Sequence, residues 1–260
     1  MKTKVFVLCH PQSVALFEPS AYNIDDVEFI KISCGTTKMI NVNLSEANDF
    51  YPTYASWNSA LFESSVILTV WKHAKELLDG CNVAFLHTDI RTNHNIKTIF
   101  KYISDNIANH NIGLTINSDH KKAFKDMVVK PHPMFNIDSD PMFTCEFDSN
   151  IKVWDLIAKY DKIIYEYALR KKPQMIYAHQ FACNYDEFIE LGGKLMTVAS
   201  KMTLDDIGLW TPHVFERLIG LYLSHNAILT TSFLHYASSS CIGPGDHKLY
   251  GPRPRKYYIA

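Results

Sequence analysis

The chain has 260 residues, enough for one large domain with a substantial core. Hydrophobic residues make up 47% and charged residues 20%, and 26 basic against 27 acidic side chains give a formal net charge of −1. This is the balance of an ordinary globular protein, and it leaves no electrostatic case for DNA or RNA as the main partner. The cysteines (Cys9, Cys34, Cys81, Cys145, Cys183 and Cys241) form no Cys-x-x-Cys pair. Zinc-site spacing is absent, and reduced, mostly buried thiols are the expectation.

Near the amino terminus the apolar run Val5-Phe6-Val7-Leu8 is too short for a signal-peptide core or a membrane span. Lys4–Leu8 is therefore read as a first β-strand, and a cytoplasmic protein without a transmembrane segment is expected. A second strand is predicted over Val27–Ser33, followed by a turn-rich stretch from Ser45 to Pro52. The spacing of Leu61, Val66, Val70, Ala74 and Leu77 predicts a long helix over Trp57–Leu78, stopped by Asp79-Gly80. A strand over Val83–His87 follows at once, then a helix from Ile96 to Ala108 and a strand over Ile112–Ile116. Lys121–Met127 reads as a further helix. Strand–helix alternation of this kind predicts a mainly parallel, layered α/β core.

Pro131, Pro133 and Pro141 make the next stretch irregular, and it is predicted as a loop joining halves 1–130 and 131–260 of one compact domain. The second half is expected to be helical. A helix is predicted near Ile151–Leu169, a short strand near Met175–Ala178 and a helix over Tyr185–Met202. Thr211-Pro212 opens another helix, with Thr as its cap, running to Ser224. Ile228–Leu234 is the last predicted strand, and a tail rich in Gly, Pro and basic residues follows.

Four consecutive apolar residues, Val83-Ala84-Phe85-Leu86, suit a strand buried on both faces, and this one ends in His87-Thr88-Asp89-Ile90-Arg91. A carboxylate at the carboxyl end of such a strand lies where open α/β sheets bind ligands, which makes Asp89 the first candidate site residue. As a bland alternative, it caps a helix or sits in a loop. Two other acidic triplets compete. Asp138-Ser139-Asp140 lacks a preceding apolar strand and reads equally as a Pro-bounded turn. Asn117-Ser118-Asp119 follows a predicted strand and reads equally as a helix cap. Cys9 and His10 do not make a nucleophile–base pair, because neighbours on a strand point to opposite faces. His10-Pro11-Gln12-Ser13 is not the Gly-rich phosphate loop that a nucleotidyltransferase needs.

Three further segments carry a resemblance. They are Glu63-Ser64-Ser65-Val66-Ile67-Leu68-Thr69-Val70-Trp71-Lys72 with the strand ending in His87, the stretch Gln174–Phe188, and Phe215-Glu216-Arg217-Leu218 with Leu221-Tyr222-Leu223. In this order they resemble the polysaccharide-synthesis family known as domain of unknown function 4422, within the GT-A superfamily of nucleotide-sugar glycosyltransferases. That family shows a Glu, a hydroxyl residue two positions on, a later Trp-Lys pair, a strand ending in His and a late Glu-Arg-Leu helix. After the His it usually has aromatic and Arg residues. This chain has Thr88-Asp89 there, which moves it towards the metal-binding pattern of the wider superfamily.

The resemblance implies a GT-A-like (Rossmann-like) α/β fold and a hexosyl- or deoxyhexosyl-transferase. The enzyme would move a sugar from a nucleoside-diphosphate sugar, with UDP the expected nucleotide, to a glycan hydroxyl. Such a transfer needs the leaving diphosphate neutralised, commonly by Mn²⁺ or Mg²⁺ on hard ligands. Asp89 is the implied ligand, with His87 in place of the superfamily's first carboxylate. His247 would close the site from the tail, with His235 as the alternative. Arg91, Lys248 and Arg253 would meet the diphosphate, and His10 and Pro11 would cradle the nucleobase through their backbone. An inverting enzyme also needs a base, and Glu216 is the first choice, with Asp205 and Asp206 as competitors. A retaining enzyme needs none. Glu63 is a further carboxylate on a matching segment. The alternative is a catalytically inactive glycan- or nucleotide-binding module of the same fold, which a His in the first carboxylate's place keeps open.

Overall fold

The central strands carry apolar side chains on both faces, and this decides the layering. In β1 (Thr3–Cys9), Val5 and Val7 join one buried cluster while Phe6 and Leu8 join another. In β4 (Asn82–His87), Ala84 and Leu86 go to the first side, and Val83 and Phe85 to the second. The short β7 (Phe181–Cys183) splits in the same way, Ala182 against Phe181 and Cys183. A sheet of this kind must be covered by helices on both faces. The computed structural model describes residues 1–9, 24–33, 44–45, 61, 63–87, 90–92, 96–116, 147–171, 176, 179–207, 211–226 and 228–236.

Besides these strands the sheet contains β2 (Val27–Ser33), β3 (Leu44–Ser45), β5 (Ile90–Thr92), β6 (Asn111–Ile116) and β8 (Ile228–Tyr236). The order among the described residues is β3-β2-β1-β4-β7-β6-β8-β5. β1 runs parallel to β2 and β4, β2 to β3, and β6 to β8. β7 is antiparallel to both of its neighbours, β4 and β6, and β5 is antiparallel to β8. The result is a mixed α/β sheet in which β1, β2, β3, β4, β6 and β8 all point the same way. Strands from the first and second halves of the chain interleave within it.

On the Val5/Val7 face lies α3 (Ile96–Asn106), which contributes Ile99, Phe100 and Ile103. The other face is covered by α1 (Glu63–Lys72), α4 (Phe147–Tyr160), α5 (Lys162–Lys171), α6 (Tyr185–Lys201) and α7 (Thr211–His225), with the short α2 (Ala74–Leu77) between α1 and β4. A row of rings, Phe6, Phe85 and Phe181, crosses the strands on this side at centroid spacings of 5.5 and 5.2 Å, and Phe188 of α6 caps it. Residues Thr211 to Ser224 of α7 are buried except for half-buried His213. A helix enclosed on all sides is a core element. No described helix is long and apolar enough to cross a membrane.

The predicted strands β1, β2, β4, β6 and β8 and the helices α3, α6 and α7 form within a residue or two of their expected ends. Asp79 and Gly80 take left-handed backbone angles (φ 50° and 75°), as the predicted stop requires. Two predicted helices are each divided, and the short strands stand outside the expectations. The described part of the helix predicted over Trp57–Leu78 is divided by a turn at His73, although the bond from His73 N to Thr69 O (3.1 Å) keeps the helical pattern running. The helix predicted near Ile151–Leu169 is two helices. Asp161 separates them, because its carboxylate accepts from Ile164 N (3.0 Å) to cap α5 and from Tyr222 Oη (2.8 Å). Of the strand predicted near Met175–Ala178 only Ile176 is among the described residues; a short strand forms at Phe181–Cys183, and Asn184 then caps α6 by accepting from Glu187 N at 3.0 Å. β5 has no counterpart among the expectations, since three residues carry no period. The helix predicted at Lys121–Met127, the Pro-bounded loop and the junction of the halves at 130 and 131 lie outside the described residues.

Candidate functional site

Because the parallel strands share one direction, Cys9, Ser33, His87, Ile116 and Tyr236 end them along a single edge. α1 leads through α2 into the start of β4, and α7 leads directly into the start of β8, so the amino ends of both helices return to that edge. Antiparallel β7 begins there, which puts His179 and Gln180 at the same place. Three distant segments therefore meet beyond the carboxyl ends of the strands, where α/β sheets bind their ligands.

A buried polar cluster joins them. Ser64 Oγ of α1 lies 2.7 Å from His179 Nε2, although 115 residues separate them in the chain. His179 holds left-handed backbone (φ 54°), a conformation that a non-glycine residue adopts at a cost. In α7, Arg217 Nη1 donates to Glu216 Oε2 at 2.6 Å. His213 Nδ1, one turn earlier on the same face, is 3.7 Å from that oxygen, an electrostatic contact and not a hydrogen bond. Ser64, His179, Glu216 and Arg217 are all at or below 5% exposure, which makes their mutual pairing obligatory.

The electrostatics of Glu216 follow from this packing. Burial opposes its charge, but the guanidinium of Arg217 and the imidazoles of His213 and His179 outweigh burial and pull the carboxyl down to about 2. Glu216 is thus ionised at any physiological pH, with low affinity for a proton. Asp206 is differently engaged. It accepts from Thr203 N (3.2 Å) and Thr203 Oγ1 (2.5 Å), from the hydroxyl of Tyr160, and from Lys159 Nζ (2.9 Å). Those donors hold its carboxyl well below the usual range, and with the N-cap Thr203 it completes the capping box of the 3-10 turn Leu204–Asp206. Asp205 is exposed on that turn.

Of the expected donor-side residues, His87 closes β4 opposite Leu8 of β1. Arg91 of β5 lies opposite His235 of β8, which puts two segments expected to meet a donor in one register. His10, Pro11, Asp89, His247, Lys248 and Arg253 lie outside the described residues, as do Asp119, Asp138 and Asp140. Among the described residues no three His, Cys, Asp or Glu side chains gather as a metal cage. Sequence reasoning gave no role to Ser64, His179, His213 or Arg217. The available signal for Ser64, His179 and Arg217 was their membership of the matching segments 63–72, 174–188 and 215–223; His213 lies outside all three.

No protein-family model matches the sequence, and no curated protein is significantly similar to it. The structure is similar to that of the bifunctional glycosyltransferase WbbM in its apo form, with a TM-score of 0.56 at 14% identity. The match covers 92% of this chain and 46% of that one, so the chain spans less than half the length of WbbM. The fold is glycosyltransferase-like.

Proposed function

We propose that the chain is a glycosyltransferase that moves a hexose or deoxyhexose from a nucleoside-diphosphate sugar to a hydroxyl of a glycan acceptor in polysaccharide synthesis. The observation that carries this reading is the convergence of α1, α7 and the His179 turn at the carboxyl edge of a glycosyltransferase-like sheet. Two helix amino ends at such an edge favour an anionic ligand such as a diphosphate. UDP is the proposed nucleotide, with its base cradled by the backbone of His10 and Pro11. Asp89, His87 and His247 are the proposed ligands of a divalent cation. A set that mixes carboxylate with imidazole suits Mn²⁺ better than Mg²⁺. When bound, the cation would neutralise charge on the leaving diphosphate. Arg91, Lys248 and Arg253 would add to that neutralisation from the protein.

Glu216 enters this reading as a fixed negative charge. With its oxygen engaged by Arg217 and its carboxyl near 2, it is poorly matched to take a proton from an acceptor hydroxyl at neutral pH. We assign it the positioning of Arg217, His213 and His179. This fits a retaining transfer, which needs no side-chain base, better than an inverting one relying on Glu216 or Asp206.

The test is calorimetric titration of UDP, GDP and CDP, with and without Mn²⁺, into wild type and Asp89→Ala. Tight binding of one diphosphate that needs both the metal and Asp89 is expected. Binding indifferent to both would overturn the metal-site assignment. The engaged state of Glu216 also favours one other reading, a catalytically inactive glycan- or nucleotide-binding module. Release of nucleotide from a bound nucleotide-sugar by wild type, lost in Asp89→Ala, would exclude it.

A further inference from the structure

Beside His179, the side chain of Gln180 is completely buried, and neither its Nε2 nor its Oε1 has a hydrogen-bond partner among the described residues. Its backbone is firmly placed. Phe181 pairs with Phe85 of β4 on one side and Gly113 of β6 on the other, and Gln180 O accepts from Leu114 N at 3.0 Å. Gln180 therefore lies one step nearer the carboxyl edge than Phe181, level with Leu86, the residue before His87. The left-handed backbone of His179 and its bond to Ser64 fix the corner from which it extends.

An amide left unpaired in a folded interior is uncommon, because it keeps the full cost of leaving water. A carboxamide offers two donors and an acceptor side by side. A pair of adjacent sugar hydroxyls presents the complementary arrangement, since each hydroxyl both donates and accepts. The end of β4 is where the donor diphosphate is proposed to lie, and the transferred sugar is the group bonded to that diphosphate. We propose that Gln180 reads the transferred sugar, donating to one ring hydroxyl and accepting from its neighbour; this rests on the glycosyltransferase reading above. Shielded from solvent, such a pair of bonds discriminates strongly, because no water competes for them. His179 is the positioning residue for this corner.

The experiment uses the full chain with Gln180→Met, which keeps length while removing the polar atoms, and Gln180→Leu as a second apolar variant. Calorimetry compares UDP, GDP and CDP with UDP-glucose, UDP-galactose and GDP-mannose, and thermal melts are run alongside. Wild type should bind one nucleotide-sugar more tightly than its bare diphosphate. Both variants should bind the diphosphate as wild type does, lose about tenfold in affinity for the sugar form, and melt no lower than wild type. Unchanged affinity for the sugar form would overturn the assignment of Gln180 while leaving the glycosyltransferase reading intact. A melt lowered in both variants with sugar preference retained would also overturn it, by making the amide a structural group. If wild type binds no nucleotide or nucleotide-sugar, the underlying reading fails and this one with it.

Discussion

Replacing Glu216 with Gln removes one charge of a buried ion pair. Arg217, at 1% exposure, would lose the carboxylate that now sits 2.6 Å from its Nη1. Breaking one side of a buried ion pair costs about 3–5 kcal/mol, because the remaining charge is left uncompensated. The lowered carboxyl of Glu216 expresses the same pairing: a shift from 4.5 to about 2 corresponds to roughly 3 kcal/mol of folding stability at neutral pH, and at 5% exposure solvent screens little of it. Urea denaturation of Glu216→Gln should therefore show a loss near 3 kcal/mol, and its melting temperature should fall by roughly 6–12 °C. Because the folded-state carboxyl is lowered, this stabilisation is complete above about pH 4.5 and is lost as pH falls towards 2. The gap between wild type and variant should narrow over that window. Adding Arg217→Met to the variant should recover much of the loss, since no buried charge then remains. A loss under about 1 kcal/mol, or a double variant no more stable than the single one, would refute the closed buried pair.

Three other outcomes are expected. Gly192 of α6 lets the ring of Trp71 lie against its backbone, with Trp71 Nε1 donating to Ile189 O at 3.0 Å. Gly192→Ala should cost about 1–3 kcal/mol despite alanine's better helix propensity, as a melt followed by tryptophan fluorescence would show. Unchanged stability would mean that the ring repacks freely. Asp206→Ala removes the acceptor shared by Thr203, Tyr160 and Lys159 and should cost about 1–2 kcal/mol. Hydrogen exchange should accelerate at residues 203–207 and not in the middle of α6; a uniform acceleration would contradict a local cap. Burial, and then the charge of Glu187, raise the thiol of Cys183 well above its ordinary value. Alkylation of the native protein followed by peptide mass mapping should leave Cys183 unmodified while half-buried Cys81 reacts, and equal labelling would argue against that environment.

The layering was legible because it rests on periodicity. Val83 to Leu86 reads as a strand buried on both faces, and its side chains divide between the two clusters as that reading requires. What the sequence concealed was set by single polar contacts. One carboxylate, Asp161, divides what periodicity predicts as one helix, since a cap inside an amphipathic run leaves the run intact. β7 was not legible because Phe181-Ala182-Cys183 is too short to show a period. Its strand exists because two neighbours, β4 and β6, offer it hydrogen bonds. Asp206 was legible as an acidic residue before a helix, yet its engagement depends on Lys159 and Tyr160, more than forty residues earlier.

The polar cluster shows why spacing alone could not find its chemistry. Glu216 was singled out as a carboxylate in the first turns of a helix, a position the helix dipole favours in any protein. Its neighbours change what it can do. Arg217 would otherwise bring a buried positive charge to an edge already faced by two helix amino ends, and Glu216 cancels it where no solvent can. The fields of the helix ends and the donors around His179 then remain to act on whatever ligand the edge receives. A carboxylate that balances a buried guanidinium cannot also serve as the proton acceptor without giving up that balance. If the proposed transfer needs a base, it must come from a group outside the Glu216–Arg217 pair. Loss of turnover in Glu216→Gln that returns in the Glu216→Gln, Arg217→Met chain would follow from a charge-balancing role, in which neither side chain is itself needed for chemistry. Loss that persists when stability has recovered would return Glu216 to the chemistry.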